Sequence, residues 1–257
     1  MKIAVCIKQV PTREWQPRLN DDKTWIREQD VSYEMNEPDA YALEEGLRLR
    51  EKHGGEVVVC SAGPARVQQV IREALARGAD RALHVEDAAL GAADAMSAAT
   101  ALAPAMAEQQ FDVILTGLQS DDQGHAQFGP VLAEKLGMPH STIIMEVQVS
   151  GSGQEASLRV KRELEGGWFQ YVSLPLPALL TIQSGINQLR YATLKGIMAA
   201  KKKEIAKVAA PSGVVPKQRV VALSSPQKTK QTVMIGGTPA EAARELVRRL
   251  REEARAL

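Results

Sequence analysis

A polar segment at residues 117–130 has the residue types and the spacing to bind an anionic group. It reads Gly-Leu-Gln-Ser-Asp-Asp-Gln-Gly-His-Ala-Gln-Phe-Gly-Pro and joins an apolar run to a stretch with helical periodicity. The backbone N–H groups of such a loop, together with the positive end of the helix that follows, can bind a phosphate. Because neither GxGxxG nor Walker spacing is present, the pattern alone is equally compatible with an ordinary strand-to-helix connection.

Motifs for catalysis or metal binding are absent from the sequence, which has no GxSxG and no HExxH. Its histidines, which lack metal-ligand spacing, are His53, His84, His125 and His140. Of these, His125 alone lies in the candidate loop. Asp121 and Asp122 can either cap the helix that follows or face a cation or a ribose hydroxyl. The sequence therefore predicts neither a metal site nor a catalytic nucleophile.

Composition indicates a globular protein with one large domain, or one domain and a long tail. The chain has 257 residues and is 44% hydrophobic and 25% charged, so it can bury a full core. Its formal net charge of +1 and its aromatic content of 4% give no indication of nucleic-acid binding.

The expected compartment is cytoplasmic. Residues 1–8 do not resemble a signal peptide, and no apolar run approaches the roughly 18 residues of a spanning helix, so we expect no membrane insertion. Cys6 and Cys60 are isolated from each other in sequence and end apolar runs, which is typical of buried thiols in a reducing compartment.

Apolar runs alternate with helical patterns in the first 143 residues. The runs predict strands at residues 2–7, 56–60, 82–85 and 112–116. The periodic segments predict helices at residues 38–52, 64–77, 92–110 and 124–136. Strands that are apolar on both faces and alternate with amphipathic helices indicate a Rossmann-like parallel sheet with helices on both faces. We expect Asn36 and Ser61 to cap two of these helices.

The remainder of the chain has a different pattern. Residues 143–149 and 157–163 predict a β-hairpin around a turn at 150–153, and residues 178–182 predict a further strand. From residue 188 the core-like periodicity is lost, and the segment contains the basic run 201–203 and is interrupted by Pro211, Pro216 and Pro226.

A terminal helix is predicted after the capping box of Thr238 and Glu241, with an apolar stripe that extends to Leu257. We therefore predict an α/β nucleotide-binding domain over residues 1–187 and a C-terminal arm over residues 188–257. Because the arm cannot form a core of its own, we expect it to embrace a partner.

Several motifs, in this order along nearly the whole chain, resemble the electron-transfer flavoprotein beta subunit family. They are Lys8-Gln9-Val10-Pro11, Met35-Asn36-Glu37-Pro38-Asp39, Ser61-Ala62-Gly63-Pro64, Gly78-Ala79-Asp80-Arg81, Gly117-Leu118-Gln119, Glu165-Gly166-Gly167 and Arg190-Tyr191-Ala192-Thr193-Leu194. The last motif, followed by the basic segment to residue 203, is the most specific. On these motifs the sequence is identified as a member of that family.

The resemblance implies a fold of the adenine nucleotide alpha hydrolase-like type and a heterodimer with an alpha subunit. One FAD is then held mainly by the alpha chain, with its ring near the beta surface. Electrons pass from flavin dehydrogenases, such as the acyl-CoA dehydrogenases of fatty acid oxidation, to a membrane quinone oxidoreductase. The beta subunit has no substrate chemistry of its own. The docking anchor of the family corresponds to Leu194, and Tyr191, Ile197 and Met198 accompany it in the docking loop at about 190–203.

The resemblance also implies an adenine nucleotide inside the beta subunit, either AMP or, in electron-bifurcating members, a second FAD. The positions that match are Cys6, Asn36, Pro38, Ala62, Asp122, Gln123, Gly124, His125, Gln127 and Gly129.

This chain departs from both family patterns in the loop. Ordinary members tend to carry Asn-Gln-Thr-Gly, but this chain has Ala126-Gln127-Phe128-Gly129 and lacks the threonine hydroxyl. The bifurcating pattern Ala-Gln-Val-Gly-Pro is more similar, yet its preceding Asp-Gly-Asp-Thr is absent. We expect AMP held by backbone N–H groups, with a second FAD as the alternative.

A different class of protein, the universal-stress-type nucleotide-binding module, shares this kind of fold. The long tail after residue 188 favours the electron carrier, because a self-contained nucleotide sensor does not need a partner-binding arm.

Overall fold

The computed structural model describes residues 1–151, 156–226 and 232–256. Over these residues the strands are β1 (Lys2–Cys6), β2 (Gln9–Pro11), β3 (Tyr33–Met35), β4 (Glu56–Gly63), β5 (Arg81–Glu86), β6 (Val113–Gly117), β7 (His140–Ser150), β8 (Ser157–Glu163), β9 (Phe169–Pro175), β10 (Ala178–Ile182) and β11 (Ile205–Ala209). The α-helices are α1 (Glu37–His53), α2 (Gln68–Arg77), α3 (Ala95–Ala107), α4 (Phe128–Leu136), α5 (Leu194–Ala200) and α6 (Pro239–Glu252).

Nine strands form one sheet in the order β11-β5-β4-β1-β6-β10-β7-β8-β9, and β2 pairs with β3 in a small separate sheet. All pairs from β11 to β7 are parallel, whereas β8 and β9 continue the sheet in antiparallel fashion.

Side chains of the central strands are buried on both faces. In β1, Ile3 and Val5 pack in the core that includes α1 and α2, while Ala4 and Cys6 pack in the core that includes α3 and α4. This alternation across a strand is why the central strands are continuous apolar runs. The predicted α/β fold, a mainly parallel sheet covered by helices on both faces, is confirmed.

Three helices begin later than the sequence predicts: α4, α3 and also α2, which begins at Gln68 and not at residue 64. Gly124 and Ala126 have left-handed φ angles of +64° and +53°, so the chain cannot be helical there and α4 begins at Phe128. The predicted helix from residue 92 begins at Ala95, because the carboxylate of Asp94 accepts the backbone N–H of Ser97 and caps α3.

The predicted cap at Ser61 is wrong, and the cap at Asn36 is confirmed in position only. Asn36 occupies the N-cap position of α1, but its side chain makes no capping hydrogen bond. Ser61 lies inside β4, and its hydroxyl donates to the carbonyl oxygen of Ile7 in the neighbouring chain segment (2.7 Å). A 3-10 turn at Ala65–Val67 then separates β4 from α2.

At one edge of the sheet, β7 and β8 pair with Val147 opposite Val160, and residues 152 and 153 of the predicted turn lie outside the described residues. Strand β9 is not predicted by the sequence. Its residues Phe169 and Tyr171 are exposed and Leu174 is buried, so apolar alternation does not mark the strand.

At the opposite edge, β11 pairs in parallel with β5 and α5 packs against α2. These contacts tie residues 194–209 to the α/β body, although the sequence assigns them to the arm. Helix α6 has the predicted capping box of Thr238 and Glu241, and it buries none of its described residues. Leu257 lies outside the described residues, and the division of the chain into two domains stays a prediction.

Candidate functional site

A cavity lies at the carboxyl ends of the central parallel strands, where ligands bind in α/β sheets of this kind. It is bounded by the end of β1, by Ala62 in β4, by the loop after β6 and by the N-terminal part of α3. Many of the residues that line the cavity are small or apolar, including Leu90, Leu102 and Phe128. Polar groups reach the cavity from the loop after β6.

Asn36 holds the loop after β6 in place. Its side chain is buried; its amide Nδ2 donates to the carbonyl oxygen of Gln119 (2.9 Å), and its Oδ1 accepts the N–H of Asp121 (2.9 Å). One asparagine therefore satisfies a donor and an acceptor of the loop backbone, which fixes the loop relative to the start of α1.

Asp39 joins the ends of two strands beneath the cavity. Its carboxylate accepts the N–H of Lys8 after β1 (2.7 Å) and the N–H of Gly117 in β6 (2.9 Å). Burial raises the pKa of the Asp39 carboxyl to about 7, and the hydrogen bonds from Lys8, Asn36 and Gly117 oppose the rise.

We expect replacement of Asp39 by Asn to remove a pH dependence of stability. The folded pKa of Asp39 lies near 7 and the unfolded pKa near 3.9. The folded state therefore binds the extra proton, and the wild type loses stability as the pH rises from about 4 to about 7. Between pH 4.5 and 7.5 the free energy of unfolding of the wild type should fall by about 3 kcal/mol relative to the variant. Urea unfolding at a series of pH values measures this difference, and parallel curves would contradict it.

Ion pairs hold the outer side of the loop. The ammonium group of Lys8 lies 2.6 Å and 2.8 Å from the two carboxylate oxygens of Asp122. Arg13 contacts both Glu37 at the start of α1 and Asp121 in the loop. Asp121 and Asp122 therefore pair with basic side chains and do not cap α4.

The N-terminus of α4 has no side-chain cap, because the side chain of the preceding residue, Gln127, makes no capping hydrogen bond. Gly129 lets this end of α4 approach the sheet. A Cβ there would lie 2.5 Å from Cγ2 of Thr181 and 3.0 Å from Oγ1 of Thr116. Uncapped N–H groups at a helix N-terminus form a partial positive charge that suits an anion.

A second feature is the segment from Gln188 to α5, which is fixed to the body by ion pairs. The guanidinium of Arg190 binds Glu44 (2.7 Å) and Glu51 (2.6 Å) of α1, and Arg48 donates to the carbonyl oxygen of Gln188. Burial alone would raise the pKa of Glu44, but its hydrogen bonds to Arg190 and Arg48 hold that pKa below its ordinary value.

Helix α5 is held against α2 by reciprocal contacts at the helix ends. Arg72 donates to the carbonyl oxygens of Ala200 and Lys203, and Lys203 donates to carbonyl oxygens at the end of α2. Gly196 permits the close approach, because a Cβ there would lie 2.3 Å from the carbonyl oxygen of Ala76.

Comparison with known proteins identifies the family. Residues 23–212 match a family model described as the electron transfer flavoprotein domain. An electron transfer flavoprotein subunit beta from Methylophilus methylotrophus is 36% identical, covering 98% of this chain and 98% of that protein. Proteins with the same name from Thermoanaerobacterium thermosaccharolyticum and Sus scrofa are 38% and 34% identical, and each alignment covers at least 97% of both chains. The chain belongs to the electron transfer flavoprotein beta subunit family.

Members of the electron transfer flavoprotein family are electron-transfer proteins and not classical enzymes. Within the described residues, no helix combines the length and the apolar character needed to cross a bilayer.

The structure brings together many of the positions that the electron transfer flavoprotein resemblance selects for a nucleotide. Those that line the cavity are Cys6, Asn36, Ala62, Gln123, His125 and Gln127. The others adjoin it without lining it: Pro38 is buried in the first turn of α1, Asp122 pairs with Lys8, Gly124 forms the left-handed turn and Gly129 packs on the sheet.

The positions predicted for docking lie on the outer surface, on α5 and in the segment just before it. Tyr191 is 88% exposed and Leu194 is 84% exposed, while Met198 and Ile197 are also exposed. Large apolar side chains held at this exposure on a rigid support form a patch of the kind that binds other proteins.

Lys8, Asp39 and Asp94 line the cavity but were not among the predicted site residues. Asp94 caps α3 and also accepts the N–H groups of Lys217 and Gln218 from the C-terminal segment. The position of Lys8 and Asp39 in the sequence could have indicated their place in the site. Both fall in motifs at strand or helix ends, where side chains meet at the carboxyl edge of the sheet.

Proposed function

We propose that this chain pairs with an alpha subunit that holds FAD, and that the heterodimer carries electrons from flavin dehydrogenases of the acyl-CoA dehydrogenase type to a membrane quinone oxidoreductase. The observation that carries this proposal is an exposed apolar patch of Tyr191, Leu194, Ile197 and Met198, which lies on α5 and in the segment just before it. We call these residues the docking patch. Bound FAD would supply the reversible electron storage, and the docking patch would position the electron donor.

The fixed geometry of α5 supports a docking role. Ion pairs to α1 and hydrogen bonds to α2 hold the patch in one arrangement before a partner arrives. A preorganised apolar anchor loses little conformational entropy on binding, so a partner protein can recognise it through a small contact area.

For the cavity we propose AMP, bound in a structural role. The residues fit an adenine nucleotide: Leu90, Leu102 and Phe128 offer an apolar wall for a flat ring, and the uncapped N-terminus of α4 suits the phosphate. A second FAD in the same place, as in electron-bifurcating members, is the alternative, favoured by the Ala126-Gln127-Phe128-Gly129-Pro130 sequence.

Coexpression with the alpha subunit tests both proposals. We expect a yellow heterodimer that releases one FAD and one AMP when it is denatured, and a colourless beta chain when it is expressed alone. Nucleotides are separated by chromatography and counted against protein. Release of two FAD per heterodimer would contradict the AMP proposal and support the electron-bifurcating alternative. A stable, ATP-binding chain without an alpha partner would instead support the universal-stress-type module.

We also propose a cytoplasmic location. Cys6 and Cys60 are free thiols and both are buried. They lie opposite each other in β1 and β4, and burial raises the pKa of each thiol. Unpaired protonated thiols in a core agree with a reducing compartment, and fractionation of cells followed by immunoblotting would test the location.

A further inference from the structure

Lys8 places its ammonium group in the loop that closes the cavity. In addition to its contacts with Asp122, the Nζ atom of Lys8 lies 3.3 Å from Oγ of Ser120 and 3.4 Å from Oε1 of Gln123. All of these partners belong to the segment after β6, whereas Lys8 follows β1. The lysine therefore joins the two strand ends between which the cavity opens.

Lys8 is also distinguished by its charge. Among the described residues that line the cavity, it is the sole Lys or Arg. The two carboxylates in the lining are already engaged by backbone N–H groups: Asp39 by two and Asp94 by three. A bound phosphate would meet the negative charge of Asp94 unless a cation lies nearby.

The salt bridge of Lys8 can be exchanged. The side chains of Lys8 and Asp122 are 38% and 25% exposed, so the pair is in contact with solvent and of the kind that contributes little to stability. Asp122 lies outside the cavity lining, and water can solvate its carboxylate when the ammonium group moves. A lysine with rotatable donors on a flexible stem can reorient in this way.

We propose that Lys8 binds the phosphate of the nucleotide and that Asp122 holds the ammonium group while phosphate is absent. This inference rests on the proposed nucleotide site. The uncapped N-terminus of α4 and the ammonium group of Lys8 together supply the phosphate contacts. Lys8 thereby makes the site select a phosphorylated nucleotide over the nucleoside.

The test compares AMP with adenosine on the nucleotide-depleted heterodimer by calorimetric titration. In the wild type, AMP should bind more tightly than adenosine. Lys8→Met should lower the affinity for AMP by roughly tenfold to a hundredfold, which is the range expected for the loss of one charge-assisted hydrogen bond. Adenosine should bind the variant within about twofold of the wild type, since its contacts do not include Lys8. Lys8→Arg should recover part of the AMP affinity.

Two further variants and the salt dependence complete the test. Lys52→Met makes the same change at an exposed lysine at the end of α1 and should alter neither affinity. Asp122→Asn should tighten AMP binding, because the carboxylate that competes with phosphate for Lys8 is removed. The AMP affinity of the wild type should fall more steeply with added salt than that of Lys8→Met.

The outcomes distinguish failure of the proposed role of Lys8 from failure of the proposed nucleotide site. Equal losses of AMP and adenosine affinity in Lys8→Met, or no loss of either, would overturn the role of Lys8 and leave the nucleotide site standing. If the wild type binds neither ligand, the nucleotide site itself is wrong and the role of Lys8 fails with it. The flavin absorbance of each variant reports whether the heterodimer is intact.

Discussion

Replacement of Leu194 by Ala is expected to lower the rate at which a dehydrogenase reduces the heterodimer by about thirtyfold, while the FAD content stays unchanged. The side chain is 84% exposed, so its truncation leaves no cavity and removes an anchor for the partner. Loss of an interface hot spot costs about 2 kcal/mol or more, which corresponds to about thirtyfold in affinity. Stopped-flow reduction at low dehydrogenase concentration measures the effect.

The expected size of this effect depends on the support beneath Leu194. The adjacent Gly196 lies so close to the carbonyl oxygen of Ala76 that an added Cβ would be 2.3 Å away. Gly196→Ala should therefore push α5 away from α2 and slow reduction as well, although Leu194 itself is unchanged. A rigid support also implies that the maximal rate at saturating dehydrogenase changes less than the rate at low concentration.

Leu164→Ala provides the matched control for Leu194→Ala. Leu164 is also exposed, but it follows β8 near the opposite edge of the sheet. The control should be reduced at the wild-type rate. If Leu194→Ala loses flavin or unfolds at lower urea concentration than the wild type, Leu194 has a structural role and the docking assignment is wrong.

Gly117→Ala is expected to lower the free energy of unfolding by about 3 kcal/mol and to deplete the cavity of nucleotide. A Cβ at this position would lie 2.3 Å from Oδ1 of Asp39 and 2.7 Å from the backbone of Pro38 and Asp39. Two of these neighbours are backbone atoms of the first turn of α1, which cannot rotate away as a side chain can. The helix start must shift, and the hydrogen bonds of Asp39 to the ends of β1 and β6 are then lost.

Urea unfolding gives the stability change in Gly117→Ala, and chromatography of the denatured heterodimer gives the nucleotide content. Gly236→Ala is the control, because Gly236 has no heavy atom within 4 Å of an added Cβ and no left-handed φ angle. It should raise the free energy of unfolding slightly, by at most about 1 kcal/mol. Wild-type stability and nucleotide content in Gly117→Ala would show that the start of α1 moves freely and that Asp39 does not organise the cavity.

The parts of the fold that the sequence predicts are those with strong local patterns. The central strands are buried on both faces and read as continuous apolar runs, and the helices between them have apolar stripes. Strands β9 and β11 lack such patterns. Phe169 and Tyr171 are exposed in β9, and Lys207 and Val208 are exposed in β11, so their pairing with β8 and β5 depends on where the preceding chain places them.

By itself, the sequence determined the α/β architecture and the family, and it predicted the residues proposed for docking, because a conspicuous string such as Arg190-Tyr191-Ala192-Thr193-Leu194 is local. The tertiary structure decided how the polar loop at residues 117–130 becomes a site. Lys8 contacts Asp39 and Asp122, which are 31 and 114 residues away in the chain. No local pattern carries such pairings; they arise because parallel strands β1 and β6 end side by side and bring their loops to one edge of the sheet.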